Sequence, residues 1–189
     1  MPKLSGVFDI FDELDLIPID KICAWIKPAP DNTYIGNYLA NRILYPQAIP
    51  VSKADLVIEE AILREAIKAQ PTFFDKLGKK IVIPVEFAQR LPNLSSLVLI
   101  FADSLNPSEN MQVVLEDKGK REVVGTMIIP RFEWKSKLEF SVDSKKFQLR
   151  QGEVLVIPCS KSRCHLNFGK KIYEVNGGSL GLFVDGRRK

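Results

Sequence analysis

Apolar and polar residues change rhythm along this chain, from an acid-mixed start to a helical middle and an alternating end. In the first segment, Phe8, Phe11 and Leu14 recur every third residue, which predicts one helical face, and Leu16 extends the apolar set. Asp9, Asp12, Glu13, Asp15 and Asp20 are interspersed, and no basic residue follows Lys3 until Lys21. Phe8, Phe11, Asp12, Glu13, Leu14 and Leu16 are therefore the candidate partner-binding residues of this segment. It would dock on another protein or on the basic half of the same chain, or else pack as a terminal arm. The run Ile22 to Ile26 predicts a short buried strand, closed by a turn at Pro28, Pro30, Asp31 and Asn32.

The clearest element follows Pro50. Ser52 is a good helix N-cap, and Asp55 stands three residues later near the positive end of the helix dipole. Leu56, Ile58, Ala61, Ile62, Glu65 and Ala66 run with helical spacing, widened by Leu63 and Ile67, until Pro71 ends the helix. Thr72 predicts the cap of a second, short helix through Phe73, Phe74 and Leu77, stopped by Gly78. Ile81 to Ile83 predicts a strand, and Pro84 a helical turn through Glu86, Phe87 and Arg90. Leu94 to Leu105 fits either a helix capped by Ser95 or Ser96 or a buried strand centred on Leu97 to Phe101.

From Met111 onward the period becomes two. Strands are predicted at 112–115, 123–129, 137–142, 146–150, 154–157, 165–168, 172–175 and 180–185. Turns fall at Asp117-Lys118-Gly119, Asp143-Ser144, Gln151-Gly152, Gly169-Lys170 and Asn176-Gly177-Gly178. The predicted class is α+β, with a helical middle region followed by a small antiparallel β-barrel or sandwich. The corresponding organisation is an N-terminal arm over residues 1–33, a helix-rich region over 34–110 and a basic β region over 111–189. Whether the last two share one core is open at this stage.

Composition adds limits. A chain of 189 residues with 46% apolar and 26% charged residues is long enough for a proper core. No stretch approaches the roughly 20 apolar residues of a membrane span. The start, Met1-Pro2-Lys3-Leu4-Ser5-Gly6, lacks the pattern of a signal peptide. Three cysteines, Cys23, Cys159 and Cys164, form no disulfide framework and read as reduced thiols, so a cytoplasmic location is expected. Charge is unevenly spread: residues 1–117 hold 11 Lys+Arg against 16 Asp+Glu, and residues 118–189 hold 16 against 7. The net values, −5 and +9, make up the chain's +4 and suggest polar partners, head-to-tail contacts or simply differing solvated surfaces.

Candidate chemistry is sparse. His165 is the single histidine, and with Cys164 and Cys159 it forms Cys-x4-Cys-His. Zinc normally takes four ligands, and the remaining cysteine, Cys23, is far away in sequence. A Cys164/His165 dyad would make a cryptic enzyme, but neighbouring strand residues point to opposite faces. Asn176 to Gly181 lacks the ending of a phosphate loop and precedes a strand, so a hairpin turn is expected. The carboxylate pairs Glu59-Glu60 and Glu116-Asp117 carry no supporting pattern. Phe132, Trp134, Phe140, Phe147, Phe168 and Tyr173 lie among basic residues, as a single-stranded nucleic-acid surface would have them. Their alternation with charges fits core positions better. No cofactor, metal or catalytic residue is expected.

Four segments, in order, resemble the C-terminal half of the glutamate mutase L family, actin-like proteins encoded beside adenosylcobalamin-dependent mutases. Tyr34-Ile35-Gly36-Asn37 through Pro46 to Pro50, with Leu56 to Ala66, is similar to a proline-containing link and its "E-x-A-x-x-R-E-A" helix. Phe101-Ala102-Asp103-Ser104-Leu105-Asn106-Pro107 is similar to "LLDALQP". Gly125 to Pro130 forms the third segment, and Gly177 to Arg187 is similar to "GGALGLIVDARGR". The family's Asp-Ile-Gly-Gly nucleotide loop is absent, and Leu91-Pro92-Asn93-Leu94 replaces its "SGG" turn. The resemblance thus implies a shortened relative that keeps a binding platform without ATP hydrolysis. The expected function is a non-catalytic accessory or assembly subunit docking on a larger protein complex or forming a homo-oligomer. A nucleic-acid-binding module is the alternative.

Overall fold

The computed structural model describes residues 17–45, 48–69, 79–89, 93–130, 137–159 and 163–187. They fall into two compact units, one drawn from Met1–Leu77 and Ile83–Asn106, the other from Gly78–Val82 and Pro107–Lys189.

The first unit is helical. Helix α1 spans Ile19–Cys23, α2 Asn32–Leu44, α3 Lys53–Ala69, α4 Val85–Gln89 and α5 Leu94–Leu105. The strand expected over Ile22 to Ile26 is instead α1 and the turns that continue it. Ala24 N–H donates to Asp20 O, and Trp25 and Ile26 N–H donate three residues back. Five apolar residues suit either state, and packing of α1 on α2 and α3 selects the helix.

The turn expected at Asp31 and Asn32 is the start of α2. The Asp31 carboxylate accepts from Thr33 N–H at 2.8 Å, and Ile35, Leu39 and Arg42 face inward at spacings of four and three. A side chain in place of Gly36 would touch Ile19, which shows how closely α1 lies on this helix.

In α3 the capping is reciprocal. Asp55 N–H donates to Ser52 Oγ at 3.0 Å, and Ser52 N–H donates to Asp55 Oδ2 at 3.1 Å. Buried Ile58, Ile62, Leu63 and Ile67 make its inner face, against which α5 packs. The ambiguous 94–105 stretch is helical. Asn93 caps it by accepting from Ser95 N–H at 3.0 Å, and Asn106 ends it in the left-handed region at φ 45°. The helix expected after Thr72 lies outside the described residues.

The second unit holds two open sheets rather than a closed barrel. Its strands are β1 Lys80–Pro84, β2 Met111–Asp117, β3 Lys120–Ile128, β4 Lys137–Val142, β5 Lys145–Arg150, β6 Val154–Ile157, β7 Cys164–Phe168, β8 Lys171–Val175 and β9 Leu182–Asp185. One sheet runs β1-β2-β3-β9-β6 and the other β5-β4-β7-β8. The chain therefore contributes β1, whose first residues belong to this unit, before returning to the helices.

Three hairpins form where the turn residues predicted them. Lys118 and Gly119 join β2 to β3, and Asp143 and Ser144 join β4 to β5, each pair at positive φ as a right-twisting two-residue turn demands. Gly169 and Lys170 join β7 to β8.

Pairing departs from the antiparallel expectation at β9, which lies parallel to β3, with Met127 opposite Phe183, and antiparallel to β6. Asn176 to Gly181 is correspondingly a crossover from one sheet to the other, not the expected hairpin turn. Leu182 to Asp185 are all buried, because this strand is covered on both faces. One apolar cluster draws Ile128, Leu182 and Val184 from the first sheet and Phe140, Leu149, Leu166 and Phe168 from the second.

Candidate functional site

The residues singled out in the acidic segment, Phe8, Phe11, Asp12, Glu13, Leu14 and Leu16, lie outside the described residues.

In the β unit, chemistry and packing separate cleanly. The strand period turns Cys164 inward and His165 outward, so the two do not meet. His165 Nδ1 stands 3.6 Å from Asp143 on the surface. Cys164 is buried and joined to Cys159 in a disulfide, which corrects the reading of these two cysteines as reduced thiols. Cys159 follows β6 by two residues and Cys164 opens β7 in the other sheet, and both lie in the shared core. Five residues of sequence separation did not reveal that convergence. Cys23 remains a free thiol. Among the described residues no group of His, Cys, Asp or Glu is arranged to hold a metal.

The glycine-rich run is structural. Gly178 adopts φ +66°, and a Cβ there would strike the backbone of Val123 and Val124, while one at Gly181 would strike that of Ile157 and Pro158. Thr126 Oγ1 donates to Asn176 O, and Leu180 N–H donates to Val124 O at 2.7 Å. Its backbone groups are engaged by neighbouring strands rather than presented to an anion.

The aromatics of the basic half turn inward where they are described. Phe140 lies 5.8 Å from Phe147 and 5.1 Å from Phe168 between ring centroids, and Phe168 meets Tyr173 edge-on at 6.1 Å. Phe132 and Trp134 lie outside the described residues. An open cleft of about 540 Å³ on the four-stranded sheet is lined by Glu139, Ser141, Lys146, Gln148 and Asn167 together with Phe140, Phe147 and Gly169. Gln148 donates to Glu139 at 3.2 Å, and Asn167 Oδ1 is buried with no hydrogen-bond partner among the described residues.

The helical unit presents a different surface. Ile43 and Leu44 at the end of α2, and Tyr45, Ile49 and Val51 between α2 and α3, are large apolar residues, and all are exposed, Leu44 by 70% and Val51 by 94%. Polar contacts fix both ends of this connection. At one end Arg42 Nη2 reaches Glu59 Oε1 at 2.9 Å, both side chains buried, and Tyr38 donates to Glu59 Oε2 at 2.9 Å. At the other, Tyr34 donates to Asp55 at 2.7 Å, beside the Ser52 cap. Within it, Tyr45 N–H donates to Asn41 O and Ala48 N–H to Tyr45 O.

These contacts perturb the ionisable groups they join. Burial, reinforced by the Glu59 charge, pushes the Tyr38 hydroxyl well above the ordinary tyrosine range, so it stays a neutral donor. The hydrogen bond from Tyr34 holds the Asp55 carboxyl below its usual value, and the same bond raises Tyr34. Sequence reasoning noticed Glu59 only as half of an unsupported carboxylate pair. The signal was a stripe at 34, 38 and 42 facing 55 and 59, legible only once 32–44 is known to be helical. The apolar connection had a signal too, since Ile43, Leu44, Tyr45, Ile49 and Val51 follow no period that would bury them.

No family model matches the chain, and no curated protein or solved structure is significantly similar to it. No described helix is long and apolar enough to cross a membrane.

Proposed function

We propose that this chain is a non-catalytic accessory subunit that docks on a larger protein complex through its helical unit, in a cytoplasmic setting. The observation that carries the reading is the exposed apolar set Ile43, Leu44, Tyr45, Ile49 and Val51, flanked by the Arg42–Glu59 and Tyr34–Asp55 contacts between α2 and α3. Large apolar side chains exposed together offer a partner area to bury. The acidic-apolar segment from Val7 to Asp20 supplies a second contact in this reading. The resemblance to the C-terminal half of glutamate mutase L fits the same role, a binding platform without a motor.

Native pull-down of the full chain, with Leu44→Asp/Ile49→Asp and a deletion of residues 7–16 beside it, tests the proposal. A stoichiometric protein partner kept by the parent and lost by the double variant supports docking through the connection. A strictly monomeric chain retaining nothing, or one retaining nucleic acid in a salt-sensitive manner, overturns it.

A further inference from the structure

We propose that Cys159 and Cys164 form a reversible redox clasp that controls the order of the Asn176–Gly181 crossover between the two sheets. The two residues close a short loop, their Cα atoms 6.5 Å apart, toward the upper end of disulfide reach. Both are buried in the cluster that contains Ile157, Leu166 and Phe168. Gly177 lies directly against Cys159: a Cβ there would come within 2.7 Å of the carbonyl oxygen, 2.8 Å of Cβ and 3.0 Å of Sγ. The crossover thus rests on the half-cystine with no slack.

Reduction changes the space the sulfurs need. Bonded sulfurs sit about 2.0 Å apart, whereas two thiols must separate to roughly van der Waals distance, about 3.5–4 Å. Pushed apart in a close-packed core, Cys159 presses on Gly177 at the beginning of the crossover. The contacts next in line are Gly178 N–H to Asn176 Oδ1 at 3.0 Å, Leu180 N–H to Val124 O at 2.7 Å and Thr126 N–H to Gly181 O at 3.2 Å. Those three hydrogen bonds hold the entry to β9, so loosening reaches the strand that lies between β3 and β6.

The chemistry is thiol–disulfide exchange with a low-molecular-weight thiol. Its thiolate attacks one sulfur of the pair, forming a mixed disulfide and releasing the other cysteine as a thiolate that takes up a proton. A second thiol attacks the mixed disulfide, so one protein disulfide and two thiols become two protein thiols and one small disulfide. In a reducing compartment such a bond is made and broken rather than permanent, as cytosolic disulfides generally are.

The full chain, equilibrated across glutathione buffers of stepped potential, would be trapped by alkylation, counted by mass spectrometry and followed by hydrogen exchange. Cys159 and Cys164 are expected to become alkylable together, with Cys23 labelled throughout. Exchange at the Gly178, Leu180 and Thr126 amides should rise at least about tenfold on reduction while the β4–β5 hairpin keeps its protection. Cys159→Ala/Cys164→Ala should abolish the response, and Cys23→Ser should leave it intact. Complete labelling of all three cysteines even in oxidising buffer overturns the proposal. So does unchanged exchange at the crossover, and so does a uniform loss of protection over all nine strands, which would make the bond a global staple.

Discussion

Arg42 on α2 and Glu59 on α3 form an ion pair in which both arginine nitrogens Nε and Nη2 donate to the carboxylate, at 2.9 to 3.2 Å, with both side chains almost fully removed from water. Tyr38 supplies a further donor, so Glu59 is charged, buried and matched. Breaking one side of such a pair leaves an uncompensated charge, at a cost of about 3–5 kcal/mol. Glu59→Ala should lower the stability of the helical unit by that amount in urea unfolding. Replacing the group together, as Tyr38→Phe/Arg42→Met/Glu59→Leu, should cost far less, because no polar group is then stranded. Equal losses in the two variants would show that the network contributes through shape rather than charge.

Asp55 makes acid stability testable. Its folded pKa lies below the unfolded value of about 3.9, chiefly because Tyr34 donates to it. The sign follows from linkage: its stabilisation is complete above the unfolded value and is lost as pH falls through the lower, folded one. Asp55→Asn should therefore destabilise the chain at pH 7, and the gap from the parent should shrink on titration toward pH 3. A gap of the same size at both pH values would assign the effect to capping geometry alone.

Two glycines with similar backbone angles should respond differently to alanine. Gly119, at φ +84°, has nothing near its missing side chain, so Gly119→Ala should cost only the conformational strain, about 1 kcal/mol. Gly178, at φ +66°, faces the backbone of Val123 and Val124, which cannot swing aside. Gly178→Ala should cost at least about 3 kcal/mol by thermal unfolding, since strain and overpacking add. Comparable losses at both sites would mean that the crossover yields more readily than its packing indicates.

Asn93 offers a helix-cap test. Its side chain accepts from both Ser95 N–H and Ser95 Oγ, satisfying a first-turn donor of α5. Asn93→Ala should destabilise the helical unit by about 1 kcal/mol, and Asn93→Asp should restore most of it. Circular dichroism melts of the three chains distinguish this from an inert surface position.

What the sequence determined by itself was local. Ser52 with Asp55 marked the start of α3, and Lys118-Gly119 and Asp143-Ser144 marked hairpins, because caps and two-residue turns are fixed by residues a few positions apart. Period-two alternation located strands to within three residues, and to the residue at Lys137–Val142 and Val154–Ile157. The helix from Asn32 to Leu44 escaped, since its apolar face is narrow and it buries an arginine. Tertiary structure alone decided that β9 inserts between β3 and β6, that Cys159 and Cys164 meet, and that Glu59 finds Arg42 seventeen residues away. Each of those pairings is bought with chain entropy and repaid by burial and bonding between distant residues, which no local pattern records.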